Sequence, residues 1–350
     1  MGLPSPEPSL MPRIASIDAL RVAAIVAVLM LHARLFRPPG DLTPAGQVAE
    51  AALDHAARFG VPFFFFASGY LFGRGRGADP LGRAVAQVKR LAWLYVVWSI
   101  LLLAWEVGGR AARETIAYGS ADWPTLPGGT AFGLVRRFVV GVRMHLWFLP
   151  ALGLATLVVG AVARFGPRVL VVVAAALYAC GLACGSYADI TGLDLGLLSR
   201  NGPFFGTLFV ATGYVAAIRD WKPPLALGVG LTAAGYAIHL AELLALHRFA
   251  GVALVDPRVN YLAGTALVGI GVGLIALARP ALGAGTIWPQ WGTLTLGVYI
   301  LHVDIEQLLA EINPLNGVGG EVLLVAATYP AALVLAAVIG RLPGGRRLVR

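Results

Sequence analysis

Long apolar runs, broken by short polar stretches, set the pattern of this chain. Runs of about 16–22 mainly apolar residues recur at 15–35, 59–73, 90–107, 144–163, 168–186, 203–218, 224–246, 260–278, 291–310 and 322–340. Twenty apolar residues in a helix cross the hydrocarbon core of a bilayer. Backbone polar groups inside lipid must be satisfied within the segment, so these runs predict helices. The period-2 alternation of a membrane barrel is absent. The expected fold is an all-α integral membrane bundle of about ten transmembrane helices, with no large soluble domain between them. The longest gap, 108–143, is rich in Gly and Pro and ends in a basic segment; it reads as a surface loop with a short interfacial helix.

Composition agrees. Hydrophobic residues make up 58% of the chain and charged residues 13%, against about 45–50% and about 25% in soluble domains. That excludes a typical cytosolic enzyme, a disordered chain and a coiled coil. The net charge of +9 sits mostly between the apolar runs, where it suits cytoplasmic loops and anionic headgroups. No solvated basic face is formed, so no nucleic-acid partner is expected. With ten spans both termini share a side, and loop Lys and Arg modestly favour N-in and C-in. The Pro-rich tail 1–13 reads as disordered and 341–350 as a short basic tail. The first run carries Asp18, Arg21 and His32, which suits a retained membrane helix better than a signal peptide. Cys180 and Cys184 read as small packing residues. The glycine spacings Gly181/Gly185 and Gly269/Gly273 predict close helix contacts.

Ionisable groups inside a bilayer are costly and mark candidate sites. Arg21 and His32 are eleven residues apart. In a helix that is about 20° past three full turns and about 16 Å along the axis. The two side chains therefore share one face at different depths, and Asp18, three residues before Arg21, can pair with it. His145 opens the fourth run and His302 lies past the middle of the ninth. On the N-in topology both share the outer half with His32. Asp304 or Glu306 could orient a histidine, and His239 with Glu242 could form a buried pair. Ser68 lacks the Gly-x-Ser-x-Gly elbow of a nucleophile and reads as a packing or tunnel-wall residue. His55 and His247 read as loop or span-end residues, and Arg136, Arg137 and Arg143 as solvated or lipid-facing charge. No metal-ligand spacing, P-loop or dinucleotide fingerprint is present.

Four ordered motifs resemble the membrane acyltransferase-3 family. The first is Ile17-Asp18-Ala19-Leu20-Arg21 leading to His32, an Arg-x10-His helix. The second is Val61-Pro62-Phe63-Phe64-Phe65-Phe66-Ala67-Ser68-Gly69-Tyr70. The third is His145-Leu146-Trp147-Phe148-Leu149, and the fourth is Gly297-Val298-Tyr299-Ile300-Leu301-His302. Two departures stand out. Ala92 and Trp93 follow Lys89-Arg90 where the family often has another Arg, and Pro62-Phe63 stand where it often has an acidic residue.

The resemblance implies a single acyltransferase domain over 1–350 in the cell membrane. It implies transfer of an acyl group, often acetyl from acetyl-CoA, to a hydroxyl of a surface glycan or lipid-linked sugar. No tightly bound cofactor is implied; acetyl-CoA or another acyl-CoA is the donor substrate. Its nucleotide end is expected near Arg21, Lys89 and Arg90. His32 is the expected general base or transient acyl carrier, with Asp18, Ser68, His145, Tyr299 and His302 in support. The rival reading is a transporter or flippase of a sugar or polyprenyl-linked substrate, and a third is a membrane scaffold. Association into a homo-oligomer is left open.

Overall fold

A computed structural model describes residues 13–33, 35, 43–75, 79–118, 143–194, 199–315 and 317–349. The N-terminal tail before Arg13, the expected interfacial helix within 119–142, Arg136 and Arg137 lie outside the described residues. The described residues are helical, with no strand. The main helices are α1 (Ala15–His32), α2 (Pro44–Ala57), α3 (Gly60–Arg74), α4 (Pro80–Tyr118), α5 (Phe148–Val162), α6 (Pro167–Gly181), α7 (Gly206–Ile218), α8 (Leu225–Ala250), α9 (Ala263–Ala278), α10 (Thr295–Ile312) and α11 (Gly317–Ile339).

A helix occupies the body of each of the ten apolar runs. Among the described residues, six helices are long and apolar enough to cross a membrane: α1, the 80–109 part of α4, the segments containing α5 and α6, α8 and α11. Helices α7 and α9 are apolar but shorter. Two elements depart from expectation. Helix α4 continues to Tyr118, past the expected end at 107, through the helix-favouring run Arg110–Glu114. At about 58 Å it exceeds a bilayer core of about 30 Å. Helix α2 was not expected, because its mixed Ala, Gln, Glu and Asp composition hides it from a scan for apolar runs. It is well started: Thr43 Oγ1 accepts from the Gly46 N–H at 3.2 Å, and Pro44 occupies the first turn.

Three buried clusters hold the bundle, the smallest of them joining Ala51 of α2 to Leu243 and Leu246 of α8. Phe63, Phe65 and Phe66 of α3 pack with Phe205 and Phe209 beside and within α7, and the Phe205–Phe209 rings are 5.0 Å apart. Close approach of α3 to α7 requires glycine. A Cβ on Gly69 would sit 2.1 Å from the Val210 carbonyl oxygen, and one on Gly213 would sit 2.1 Å from that of Phe66. Gly269 and Gly273 of α9 pack in the same way against Pro62 and Phe66 of α3. The second cluster joins Ile25, Val28 and Leu29 of α1 to Leu94 and Trp98 of α4, Leu149 of α5 and Val298–Leu301 of α10. The basic C-terminal segment is not a free tail. Val349 is buried in this cluster, and Trp98 Nε1 donates to the Leu348 carbonyl at 3.0 Å. Cys180 and Cys184 are free thiols.

Candidate active site

A cavity of about 620 Å³ opens among α1, α3, α4, α5 and α10. Its walls are helical stripes. Phe64, Ser68, Leu71, Phe72 and Gly75 come from α3, Arg83, Gln87, Arg90 and Leu94 from α4, and Thr295, Leu296 and Tyr299 from α10. The α4 set steps by three or four residues throughout, and the other two sets mostly do, so each presents one face of its helix. From Arg83 to Leu94 the wall rises about 16 Å. Arg21, Arg83 and Arg90 give the cavity three cations, while Phe64, Leu94, Phe148 and Tyr299 close the other end.

The arginine end is braced by α1. Arg21 Nη1 donates to Asp18 Oδ1 at 3.1 Å, the expected i,i+3 pair, and Arg13 donates to Oδ2 at 2.7 Å. Gly292 lies against this point; a Cβ there would meet the Asp18 carbonyl oxygen at 2.1 Å. Lys89 is exposed and does not line the cavity. Its neighbour Arg90 does, because adjacent helical residues point about 100° apart. Arg83 was not anticipated. It donates to the Phe72 and Gly75 carbonyls at 2.9 and 2.7 Å, joining the end of α3 to the start of α4. The signal was present as Arg83, Gln87, Arg90 and Leu94 on one stripe.

Three histidines meet beyond the closed end. The rings of His32 and His302 are 5.0 Å apart, His145 and His302 5.1 Å, and His32 and His145 6.4 Å. Three different elements deliver them: the last turn of α1, the 3-10 turn Met144–Trp147 and the middle of α10. Tyr299 joins cluster to cavity. Its ring lines the cavity and lies 5.5 Å from His145, and its hydroxyl donates to the His145 carbonyl. His32, His145 and His302 do not line the cavity themselves, and Tyr299 is the lining residue whose ring lies against His145 and His302.

The hydrogen bonds set what these rings can do. His145 Nε2–H donates to the Ile300 carbonyl at 3.1 Å, and His302 Nδ1–H to the Tyr299 carbonyl at 2.6 Å. A carbonyl only accepts, so in each neutral ring the other nitrogen carries the lone pair. Those nitrogens, His145 Nδ1 and His302 Nε2, are buried with no partner. His32 makes no ring hydrogen bond to a described residue. Unpaired buried acceptors call for explanation, and here three imidazoles present free capacity to one small volume. Among the described residues no three His, Cys, Asp or Glu side chains are arranged to hold a metal ion.

Charged neighbours frame the cluster. Arg143 pairs with Asp304, and its Nη1 is 3.6 Å from Glu106 Oε2. Arg143 is thus a half-buried, paired cation rather than a solvated one, and Asp304 serves it rather than a histidine. Arg143 lies two residues before His145 and Asp304 two residues after His302, so the pair ties together the segments carrying both rings.

The expected His239–Glu242 pair does not form. Glu242 accepts from Tyr187 Oη at 2.8 Å and from the Gly264 N–H at 2.9 Å. His239 instead meets His55, Nε2 to Nδ1 at 2.7 Å, and Thr265 at 3.0 Å. His55 is therefore buried inside a hydrogen-bonded chain rather than set in a loop. His247 stands in the last turn of α8, as expected, beside the Val252 carbonyl.

The fold and site define a helical membrane protein whose internal cavity carries arginines at one end and leads to histidines at the other. The acyltransferase-3 family model, described as an acyltransferase domain, matches residues 14–341, and the chain belongs to that family of acyltransferases. No curated protein and no solved structure matches the chain.

Proposed function

We propose that this protein transfers an acyl group, acetyl in the first instance, from a cytoplasmic acyl-CoA to a hydroxyl of a surface glycan or lipid-linked sugar. In this reading the chain crosses the cell membrane ten times, with both termini in the cytoplasm. The observation that carries it is the cavity with cations at one end and Tyr299 at the other, backed by His32, His145 and His302. Arginine recognises phosphate oxygens through charge-assisted hydrogen bonds. Arg21, Arg83 and Arg90 therefore hold the nucleotide end of the donor. The pantetheine arm follows the apolar wall past Ser68 to Leu94, bringing the thioester to Tyr299.

The chemistry needs a base with a neutral-range proton affinity, and imidazole is the side chain that supplies it. His32 takes the proton of the acceptor hydroxyl as its oxygen attacks the thioester carbonyl. The C–S bond breaks, and the proton passes to the departing sulfur, giving the ester and free CoA thiol. Tyr299 and Asp18 act as positioning residues, Tyr299 for the His145 segment and Asp18 for Arg21. A burst of CoA equal to enzyme in the absence of acceptor would mark transient acylation of His32 instead.

Purified protein in bilayer discs, given labelled acetyl-CoA and membrane glycan extract, should form an acylated product. His32→Ala and Arg21→Ala, at equal folded amounts, should not. Label that crosses the bilayer without appearing in a new ester would favour a transporter. Normal ester formation by His32→Ala protein would remove that residue from the chemistry.

A further inference from the structure

A further cation, outside the lining of the donor cavity, packs on the turn that carries His145. Arg200, in the turn between α6 and α7, has its guanidinium over the Trp147 ring at 5.3 Å. Its Nε is buried and has no hydrogen-bond partner. Arg200 makes no ion pair with a described residue. Arg58, just past α2, differs in being neutralised by Asp54, with Nε donating to Oδ2 at 2.8 Å. Trp147 and His145 share the Met144–Trp147 turn, two residues apart, so Arg200 stands against the segment that carries that histidine.

Arg200 is half-buried, and a partly desolvated guanidinium without a counter-charge is unfavourable. A ligand anion would supply that charge. The donor's phosphates are accounted for by Arg21, Arg83 and Arg90. The other substrate that must reach the histidines is the acceptor. A guanidinium fork matches carboxylate and phosphate oxygens alike, and Trp147, two residues after His145, offers an aromatic wall.

Resting on the acyltransferase reading, we propose that Arg200 and Trp147 form the acceptor subsite, and that the acceptor is an anionic sugar. Its phosphate or carboxylate sits on Arg200 while a hydroxyl of the same molecule reaches His32.

Calorimetry on the full chain in bilayer discs tests this with three probes: an octyl glucuronide, an octyl glucoside phosphate and neutral octyl glucoside. The expected result is that at least one anionic probe binds roughly 10-fold or more tightly than the neutral one. Which anion wins identifies the source as uronic acid or sugar phosphate. Arg200→Gln should erase that preference, leaving neutral-probe and acetyl-CoA binding unchanged. Arg200→Lys, which keeps the charge, should retain part of it and covers the case in which Arg200→Gln does not fold. Equal binding of all three probes by the wild type would overturn the proposal. So would a preference that survives Arg200→Gln, or an Arg200→Lys protein that loses acetyl-CoA binding in step with the anion. A wild type that prefers the anion yet never turns over acetyl-CoA would sink the acyl-donor reading and leave the anion site standing.

Discussion

The protein contains two buried histidine centres, and they are built on opposite principles. At His55 and His239 every ring nitrogen is engaged. The Leu254 carbonyl, 3.2 Å from His55 Nε2, must accept, so His55 Nδ1 is an acceptor for His239 Nε2–H. His239 Nδ1 then accepts from Thr265 Oγ1, which itself accepts from the Leu262 N–H at 2.9 Å. The chain runs one way and closes. At His32, His145 and His302 the rings are also packed together, but one nitrogen on each of His145 and His302 is left without a partner. Burial alone therefore does not mark a reactive histidine. A closed chain fixes helices to one another, whereas an open one keeps lone pairs for a substrate.

Four substitutions sharpen this contrast, taken from the largest expected effect to the smallest. His32→Ala should lower acyl transfer about 10³-fold, within the span of a general acid–base contribution; transfer assays at equal amounts of folded protein check it. Asp304→Asn removes one partner of a buried ion pair and should cost about 3 kcal/mol of stability. Glu106 beside Arg143 keeps the loss near the lower end of what such a deletion gives. Denaturant unfolding in detergent reads that, and restoration by an Arg143→Asp/Asp304→Arg exchange would show the pair acting as a tie. His239→Leu strands His55 Nδ1 and the Thr265 hydroxyl, costing about 1–3 kcal/mol, while transfer per folded molecule stays normal. Loss of transfer there without loss of stability would merge the two centres into one. Phe148→Ala removes part of the closed end of the cavity and should improve use of octanoyl-CoA relative to acetyl-CoA by about 10-fold, as roughly 1.4 kcal/mol of apolar burial would give.

Much of this arrangement could be read from the sequence, for physical reasons that also explain what could not. Long apolar runs located α1, α3 and the later helices because lipid demands them. The eleven-residue step from Arg21 to His32 carried a real periodicity, and Asp18 stood where a helix brings it to Arg21. Tertiary choices were harder to see. His239 and Glu242 share a helix face, yet neighbours on α2, α9 and the segment after α6 took both. Lys89 and Arg90 were expected together at the donor's nucleotide end from the resemblance; only Arg90 lines the cavity, because a helix turns the two apart, while Arg83, seven residues earlier on the Arg90 face, was passed over. Helix α2 was invisible to a search for apolar runs. With it went the burial of His55 and the Asp54–Arg58 pair. The meeting of His32, His145 and His302 came from motif order and a shared depth in the membrane; no spacing along the chain encodes it.

Among the described residues, imidazole nitrogens are left without partners at one histidine centre, next to the Tyr299 wall of the donor cavity, and are engaged at the other. Diethyl pyrocarbonate acylates an unprotonated, unengaged imidazole nitrogen, and mass spectrometry maps each modified histidine. His32, His145 and His302 should be modified faster than His55 and His239, and acetyl-CoA should slow modification of the first three only. Equal modification of both sets, or no protection by acetyl-CoA, would contradict it.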